Sequence, residues 1–332
     1  MARILLTHVP AARAAYYGEK ALGSLRDLGE VRLHQGAEPL AGPALVEAAR
    51  DCDVIVSDRA TAGEASLFQA SPRLVAFVRC AVDIRTVDVE AASRSGILVT
   101  RASAGFVDAV VELLVGQMID AARGITAAVS AYRAGRMPEV RMGRQLAGSS
   151  IGIIGYGRIG RRLAEVARAM HMTVRVHDPY AEVEEEGVSQ VAMLPALLRA
   201  SDFVVCLAIA NEETECLMDA AAFAEMQPHA WFVNGSRGNL VDEAALVAAL
   251  DAKRIAGATM DVGRDPDQMP TRAIASRPDV IATPHIGGLT PPAIEHQALE
   301  TVAQVAAILG GKLPVGAVNA DEATRLVRFG HS

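Results

Sequence analysis

The 332-residue chain has little that would tie it to nucleic acid, to a metal or to a membrane. It has no long basic run, its arginines are scattered, and its net charge at neutral pH is −7. These features argue against a nucleic-acid partner. Only four cysteines occur, Cys52, Cys80, Cys206 and Cys216, with neither CxxC spacing nor a His-rich neighbour. No zinc site is therefore expected, and the thiols fit a reducing compartment. The amino-terminal stretch MARILLTHVP has too short an apolar run for a secretory signal. The longest apolar candidate, 102–122, carries Asp108, Glu112 and Asp120, which a lipid-spanning helix would not place there. Low-complexity segments and short internal repeats are also lacking. The expectation is a soluble cytoplasmic protein.

What is present reads as a large globular chain. Hydrophobic residues make up 51% and charged residues 21%, enough apolar content for sizeable cores, and the length exceeds what one core usually supports. Strands are expected at Arg3–Thr7, Val31–His34, Val54–Ser57, Leu74–Val78 and Ile97–Thr100. Helical stretches lie between them near Glu19–Leu28, Leu45–Asp51, Ser66 and Val89–Arg94. A long apolar helix follows at Ala104–Arg123. Beyond it the alternation resumes with strands at Thr173–His177, Phe203–Leu207, Ala230–Asn234, Ala256–Met260 and Val280–Thr283. A final helix, Pro291–Leu309, with Ile294, Ala298, Val302 and Val305 on one face, crosses back to the first domain. Such alternation implies parallel sheets covered by helices. The expected fold class is α/β, with two doubly wound parallel-sheet domains. One is a discontinuous, flavodoxin-like domain (1–101 plus 291–332), the other a Rossmann domain (102–290).

Gly152 to Tyr180, GIIGYGRIGRRLAEVARAMHMTVRVHDPY, is the most informative stretch. Ile151, Ile153 and Ile154 form an apolar strand leading into Gly155, and Leu163, Val166, Ala167 and Met170 recur at helical spacing after Gly160. Gly155 suits the tight turn, Gly157 lets a pyrophosphate approach the backbone, and Gly160 lets helix pack on strand. Arg158 and Ile159 complete the turn, whose free N–H groups and helix dipole favour phosphate. Asp178 closes the second strand where a ribose-binding acid is expected. A carboxylate there accepts from a free 2′-hydroxyl and repels a 2′-phosphate, so NAD is the expected cofactor.

Three ordered motifs then resemble one family, the D-isomer-specific 2-hydroxyacid dehydrogenases: GIIGYGRIG, VNGSRGNLVDEAAL at 233–246 and TPHIGGLT at 283–290, followed by a similar tail at Pro314–Asn319. The resemblance implies hydride transfer between NAD(H) and a 2-hydroxy or 2-keto acid in a crevice between two domains. Arg237 would bind the substrate carboxylate and polarise its carbonyl, a role suited to a planar guanidinium that stays charged. His285 would be the general acid or base. Ser236, Thr214 and Asp261 match cofactor-contacting positions, and Cys80, Ala81 and Val82 match a substrate-binding loop. A homodimer is also implied, with Ala104–Arg123 and the extension through Arg144 at the contact. Two relatives of the fold remain as alternatives, an NAD-binding sensor or corepressor-like scaffold and a formate-dehydrogenase-like enzyme.

The chain departs from this pattern in three places. The glutamate that usually partners the histidine is absent from DVGRDP, leaving Asp265 as the candidate, with Asp267 or a plain solvated loop as alternatives. The first-domain glycine loop is replaced by Ala81, Val82, Asp83, Ile84, Arg85 and Thr86, so Asp83 must turn outward or pair with an arginine such as Arg85. In CLAIANEET, Ala208 and Ala210 stand where a histidine and a proline are common. Arg59, Arg79 and Arg101 each follow a first-domain strand; they would either meet a second anionic group on the substrate or form surface ion pairs.

Overall fold

The computed structural model describes residues 1–330. The chain forms two compact units, one made of Met1–Gly105 with the residues from Thr290 onward, the other of Phe106–Leu289. The first unit carries five strands: β1 (Arg3–Leu6), β2 (Glu30–Leu33), β3 (Val54–Ser57), β4 (Ala76–Arg79) and β5 (Leu98–Arg101). All pair in parallel, in the order β2-β1-β3-β4-β5, which is the flavodoxin-like arrangement. β3 and β4 are buried at every position because helices cover both faces, which is why they read as unbroken apolar runs rather than alternating ones. Leu25, Val305 and Ile308 fill one face of this sheet, and Leu45, Phe68 and Phe77 the other.

The second unit carries seven parallel strands: β6 (Ser150–Ile154), β7 (Thr173–His177), β8 (Val188–Gln190), β9 (Phe203–Cys206), β10 (Trp231–Asn234), β11 (Gly257–Met260) and β12 (Val280–Ala282). Their order is β12-β11-β10-β9-β6-β7-β8, the doubly wound pattern whose direction reverses between β6 and β9. Ligands bind such sheets outside the carboxyl ends of the strands, at that reversal. The long helix Val107–Arg123 turns Val110, Val111, Leu114 and Met118 inward onto this sheet.

Some elements differ from expectation for local reasons. The helix Pro10–Tyr16 buries none of its residues, and the helix Ile125–Arg133 buries only Ala131, with its apolar Ile125, Val129 and Tyr132 left exposed. β8 is a three-residue edge strand without a buried position. The junctions between units fall after Gly105 and Leu289, not after residues 101 and 290. Residues 102–105 stay with the first unit because Ser103 is bound to the helix Pro291–Leu309, donating its N–H to Glu300 Oε2 (2.7 Å) and meeting His296 Nε2 through its hydroxyl (2.9 Å). Among the described residues no helix is long and apolar enough to cross a membrane.

Candidate active site

The glycine turn leaves β6 in the conformation that its motif requires. Gly155 has φ +96°, and a Cβ there would lie 2.6 Å from the Ala208 N. A Cβ on Gly160 would run into the Gly155 carbonyl. Gly157 differs from both: it is exposed, and a Cβ there would meet nothing within 4 Å. It caps the helix Arg158–Ala169 without any side-chain cap, so no capping side chain occupies the first-turn N–H groups that a phosphate would use. Asp178, half-buried at the end of the neighbouring strand β7, accepts the Tyr156 N–H at 2.6 Å and the Tyr180 N–H at 2.9 Å. Its carboxylate is thereby held beside the turn, and these residues fit a dinucleotide.

The loops after β10, β11 and β12 carry the residues expected to do chemistry. Arg237 follows β10 by three residues and His285 follows β12 by three, with β11 and Asp261 between them. Asn234, fully buried at the end of β10, shapes the first loop: its Nδ2 donates to the Arg237 carbonyl (3.0 Å) and its Oδ1 accepts the Ser236 N–H (3.1 Å). The sequence reading passed over this residue, although an asparagine closing an apolar strand was its signal. Ser236 Oγ donates to the Ala208 carbonyl at 2.6 Å, tying β10 to the wall after β9. Within that wall Thr214 closes a capping box with Asn211 and donates to the Ile209 carbonyl at 2.6 Å.

Asp261 is 4% exposed, and all of its carboxylate's hydrogen bonds go to the His285 loop rather than outward. Oδ1 accepts from Thr283 Oγ1 (2.6 Å) and the Ile286 N–H (2.9 Å), and Oδ2 accepts the Gly287 N–H (2.8 Å). Its main-chain carbonyl accepts the His285 N–H at 2.9 Å. The place of Asp265 needs correction. Its carboxylate is exposed and, among the described residues, has no hydrogen bond. His285 Nδ1 instead meets the main-chain carbonyl of Asp267 at 2.6 Å. Asp267 and Gln268 adopt φ of +57° and +59°, so the turn at this carbonyl is left-handed. A carbonyl can only accept, so Nδ1 carries the proton and Nε2 is left to act. The 263–268 loop is steadied by Arg264, whose Nη2 donates to Glu215 (2.7 Å) and to the carbonyls of Asn239 (3.1 Å) and Val241 (3.2 Å). That bond holds the Glu215 carboxyl below the usual carboxylate range.

In the first unit the expected substrate loop is only partly available. Cys80 donates its N–H to the Ser57 carbonyl (2.8 Å), and burial pushes its thiol up to about 12. The Ala81 carbonyl accepts the Ala102 N–H at 3.0 Å. Asp83 does pair with Arg85, at 2.6 Å and 3.0 Å. Of the three arginines, Arg59 and Arg101 are exposed, but Arg79 is wholly buried. It donates to the Asp58 carbonyl and to Thr86 Oγ1 (2.9 Å), and burial lowers its pKa to about 10. Arg79 is thus a brace for the 80–86 loop, not a cation offered to substrate.

A family model described as the NAD binding domain of the D-isomer specific 2-hydroxyacid dehydrogenases matches residues 115–287, more than half of the chain. The chain belongs to this family. A D-3-phosphoglycerate dehydrogenase of Methanocaldococcus jannaschii is 32% identical over 305 residues, covering 91% of this chain and 57% of that protein. A glyoxylate reductase of Thermococcus onnurineus is 30% identical over 313 residues, covering 91% of this chain and 93% of the relative. A solved Thermus thermophilus protein superimposes with a TM-score of 0.81 at 29% identity, covering 95% of this chain and 99% of that one. The chain spans little more than half the length of the first of these relatives. The glycine turn, Asp178 and the β10–β12 loops all lie on or beside the matched NAD-binding domain.

Proposed function

We propose that this family member is an NAD-dependent oxidoreductase that interconverts a 2-keto acid and the corresponding D-2-hydroxy acid. The observation that carries the reading is the pair Arg237 and His285, set on loops at the carboxyl ends of two strands of one sheet, with the His285 ring oriented through Nδ1. Arg237 binds the substrate carboxylate and draws electron density from the adjacent carbonyl. The His285 Nε2 proton passes to the carbonyl oxygen as that carbon is reduced, and returns from the hydroxyl in the reverse direction. When bound, NADH supplies the hydride and NAD⁺ accepts it. Gly155–Gly160 holds the pyrophosphate on the helix N-terminus, and Asp178 selects a free ribose 2′-hydroxyl. Ser236, Thr214 and Asp261 shape the nicotinamide end, and the Cys80–Val82 loop is the candidate for holding the substrate in the first unit. In this reading the first unit is the substrate domain, and the protein works in the cytoplasm.

The test is reduction of a 2-keto-acid panel followed by NADH absorbance, with Arg237→Ala and His285→Ala as controls. Turnover that survives both substitutions would overturn the reading. The neutral Asp267 carbonyl behind His285 also suits the formate-dehydrogenase-like alternative. Oxidation of formate with no reaction of any keto acid would favour that. Tight NADH binding with no turnover of either would favour a sensor.

We further propose a homodimer. Ile119, Ile125, Val129, Tyr132, Met137, Val140 and Met142 are all exposed within one 24-residue stretch, Val140 and Met142 almost completely, and so many large apolar side chains left in solvent support an interface there. Val140→Asp with Met142→Asp is expected to halve the mass in solution. A wild-type protein that sediments as a monomer at micromolar concentration would refute the proposal.

A further inference from the structure

We infer that Gln117, a side chain on the helix Val107–Arg123, is a positioning residue for His285, reaching it through Thr283 and Asp261. This rests on the reading of His285 as the proton donor. Gln117 is 4% exposed, so its amide has to find partners inside the protein. Oε1 accepts from Thr259 Oγ1 on β11 at 3.1 Å, and Nε2 donates to Thr283 Oγ1 at 3.0 Å. Thr283 in turn donates to Asp261 Oδ1 at 2.6 Å. A threonine hydroxyl has one proton. Because Thr283 gives its own to the carboxylate, it can only accept from Gln117, and the amide must present its NH2 to Thr283 and its carbonyl to Thr259. The chain of donors runs one way, from Thr259 through Gln117 and Thr283 to Asp261, and each bond in such a chain polarises the next.

The far end of this chain is the loop that needs support. His285 has φ +55°, a left-handed conformation that a residue with a side chain keeps only when its surroundings over-determine it. Its N–H is held by the carbonyls of Asp261 (2.9 Å) and Thr283 (3.0 Å), and the next two N–H groups are taken by the Asp261 carboxylate at 2.9 and 2.8 Å. Asp261 therefore sets the backbone on both sides of the His285 side chain, and Thr283, steered by Gln117, sets Asp261. Gly287 confirms how close the carboxylate lies, since a Cβ there would come within 2.9 Å of Oδ2. Gln117 itself has no role in binding substrate or cofactor in this scheme.

Gln117→Leu removes both hydrogen bonds at nearly constant volume. Thr283→Val breaks the same chain one link later, and Thr283→Ser keeps its hydroxyl. In the unliganded protein, hydrogen exchange at the Ile286 and Gly287 amides is expected to quicken about tenfold in Gln117→Leu and Thr283→Val, the weight of one net hydrogen bond, and to stay at the wild-type rate in Thr283→Ser. The kcat for keto-acid reduction falls in parallel, and the Gln117→Leu/Thr283→Val double variant loses no more than either single one. Wild-type exchange at both amides in Gln117→Leu, or losses that multiply in the double variant, would overturn the inference while leaving the proposed reaction intact. Turnover that persists in His285→Ala would overturn the reaction instead, and the exchange rates would still decide the role of Gln117. If Gln117→Leu does not fold, the Thr283→Val and Thr283→Ser comparison decides alone.

Discussion

Gly238→Ala would test whether the Arg237 and His285 loops form one unit. Gly238 directly follows Arg237, and a Cβ on it would lie 2.7 Å from Gly263 Cα and closer still to the Gly263 carbonyl group. Ordinary carbon–carbon contact needs about 3.5 Å, so something must move by about 1 Å. Both neighbours are backbone, which cannot rotate aside. Gly263 begins the loop that ends at Asp267 and Gln268, and its N–H is already bound to the Gln268 carbonyl at 2.7 Å. The methyl therefore displaces either the Arg237 turn or the carbonyl that orients His285. Overpacking of this kind costs about 1–3 kcal/mol of stability, and a misplacement near 1 Å costs about 100-fold in rate. The expected result is a kcat/KM for keto-acid reduction lower by about two orders of magnitude and a modest fall in Tm. Wild-type kcat/KM at an unchanged Tm would show that the two loops are not packed against each other as described.

Gly157→Ala should behave in the opposite way. Its methyl meets nothing within 4 Å, so Tm holds while NADH binding weakens; calorimetric titration checks this, and unchanged affinity would remove the phosphate assignment. Asp178→Ser should raise the NADPH-to-NADH preference, measured as the ratio of kcat/KM values, by removing a carboxylate that repels a 2′-phosphate. His8 should give the first unit an acid-sensitive limb. Burial pushes its imidazole down from 6.5 to about 4, opposed by Asp58 and assisted by Arg13 and Arg79. Between those values the unfolded chain binds a proton that the folded chain does not. Stability is then complete above about 6.5, falls as pH drops through the window by roughly 3 kcal/mol in all, and stops changing on this account below about 4. In urea titrations across that range His8→Gln should show a shallower slope, and an identical slope would refute the assignment.

Much of the architecture was legible because it depends on residues close together in the chain. Val54–Ser57 shows itself as an unbroken apolar run, Thr173–His177 and Pro291–Leu309 by their apolar periods, and the turn from Gly155 to Gly160 needs only six adjacent positions. Pro10–Tyr16 was not legible, since a seven-residue helix that buries nothing leaves no period to find. Ile125–Arg133 went unread although Ile125, Val129 and Tyr132 recur at helical spacing, a stripe that faces solvent and not a core. Arg79 was read as a cation at a sheet edge; its burial follows from the packing of β4 between its neighbours, which no local pattern displays.

By itself, then, the sequence determined two doubly wound parallel sheets, the dinucleotide turn and the loops that carry Arg237 and His285, because strand, turn and helix signals are written in runs of a few residues. Tertiary structure alone decided that a main-chain carbonyl of Asp267, not the Asp265 carboxylate, holds the His285 ring. It also decided that Gln117 reaches Thr283 across 166 positions of chain. Hydrogen bonds of that kind depend on where the backbone is placed in space, and residue type and spacing do not specify that placement.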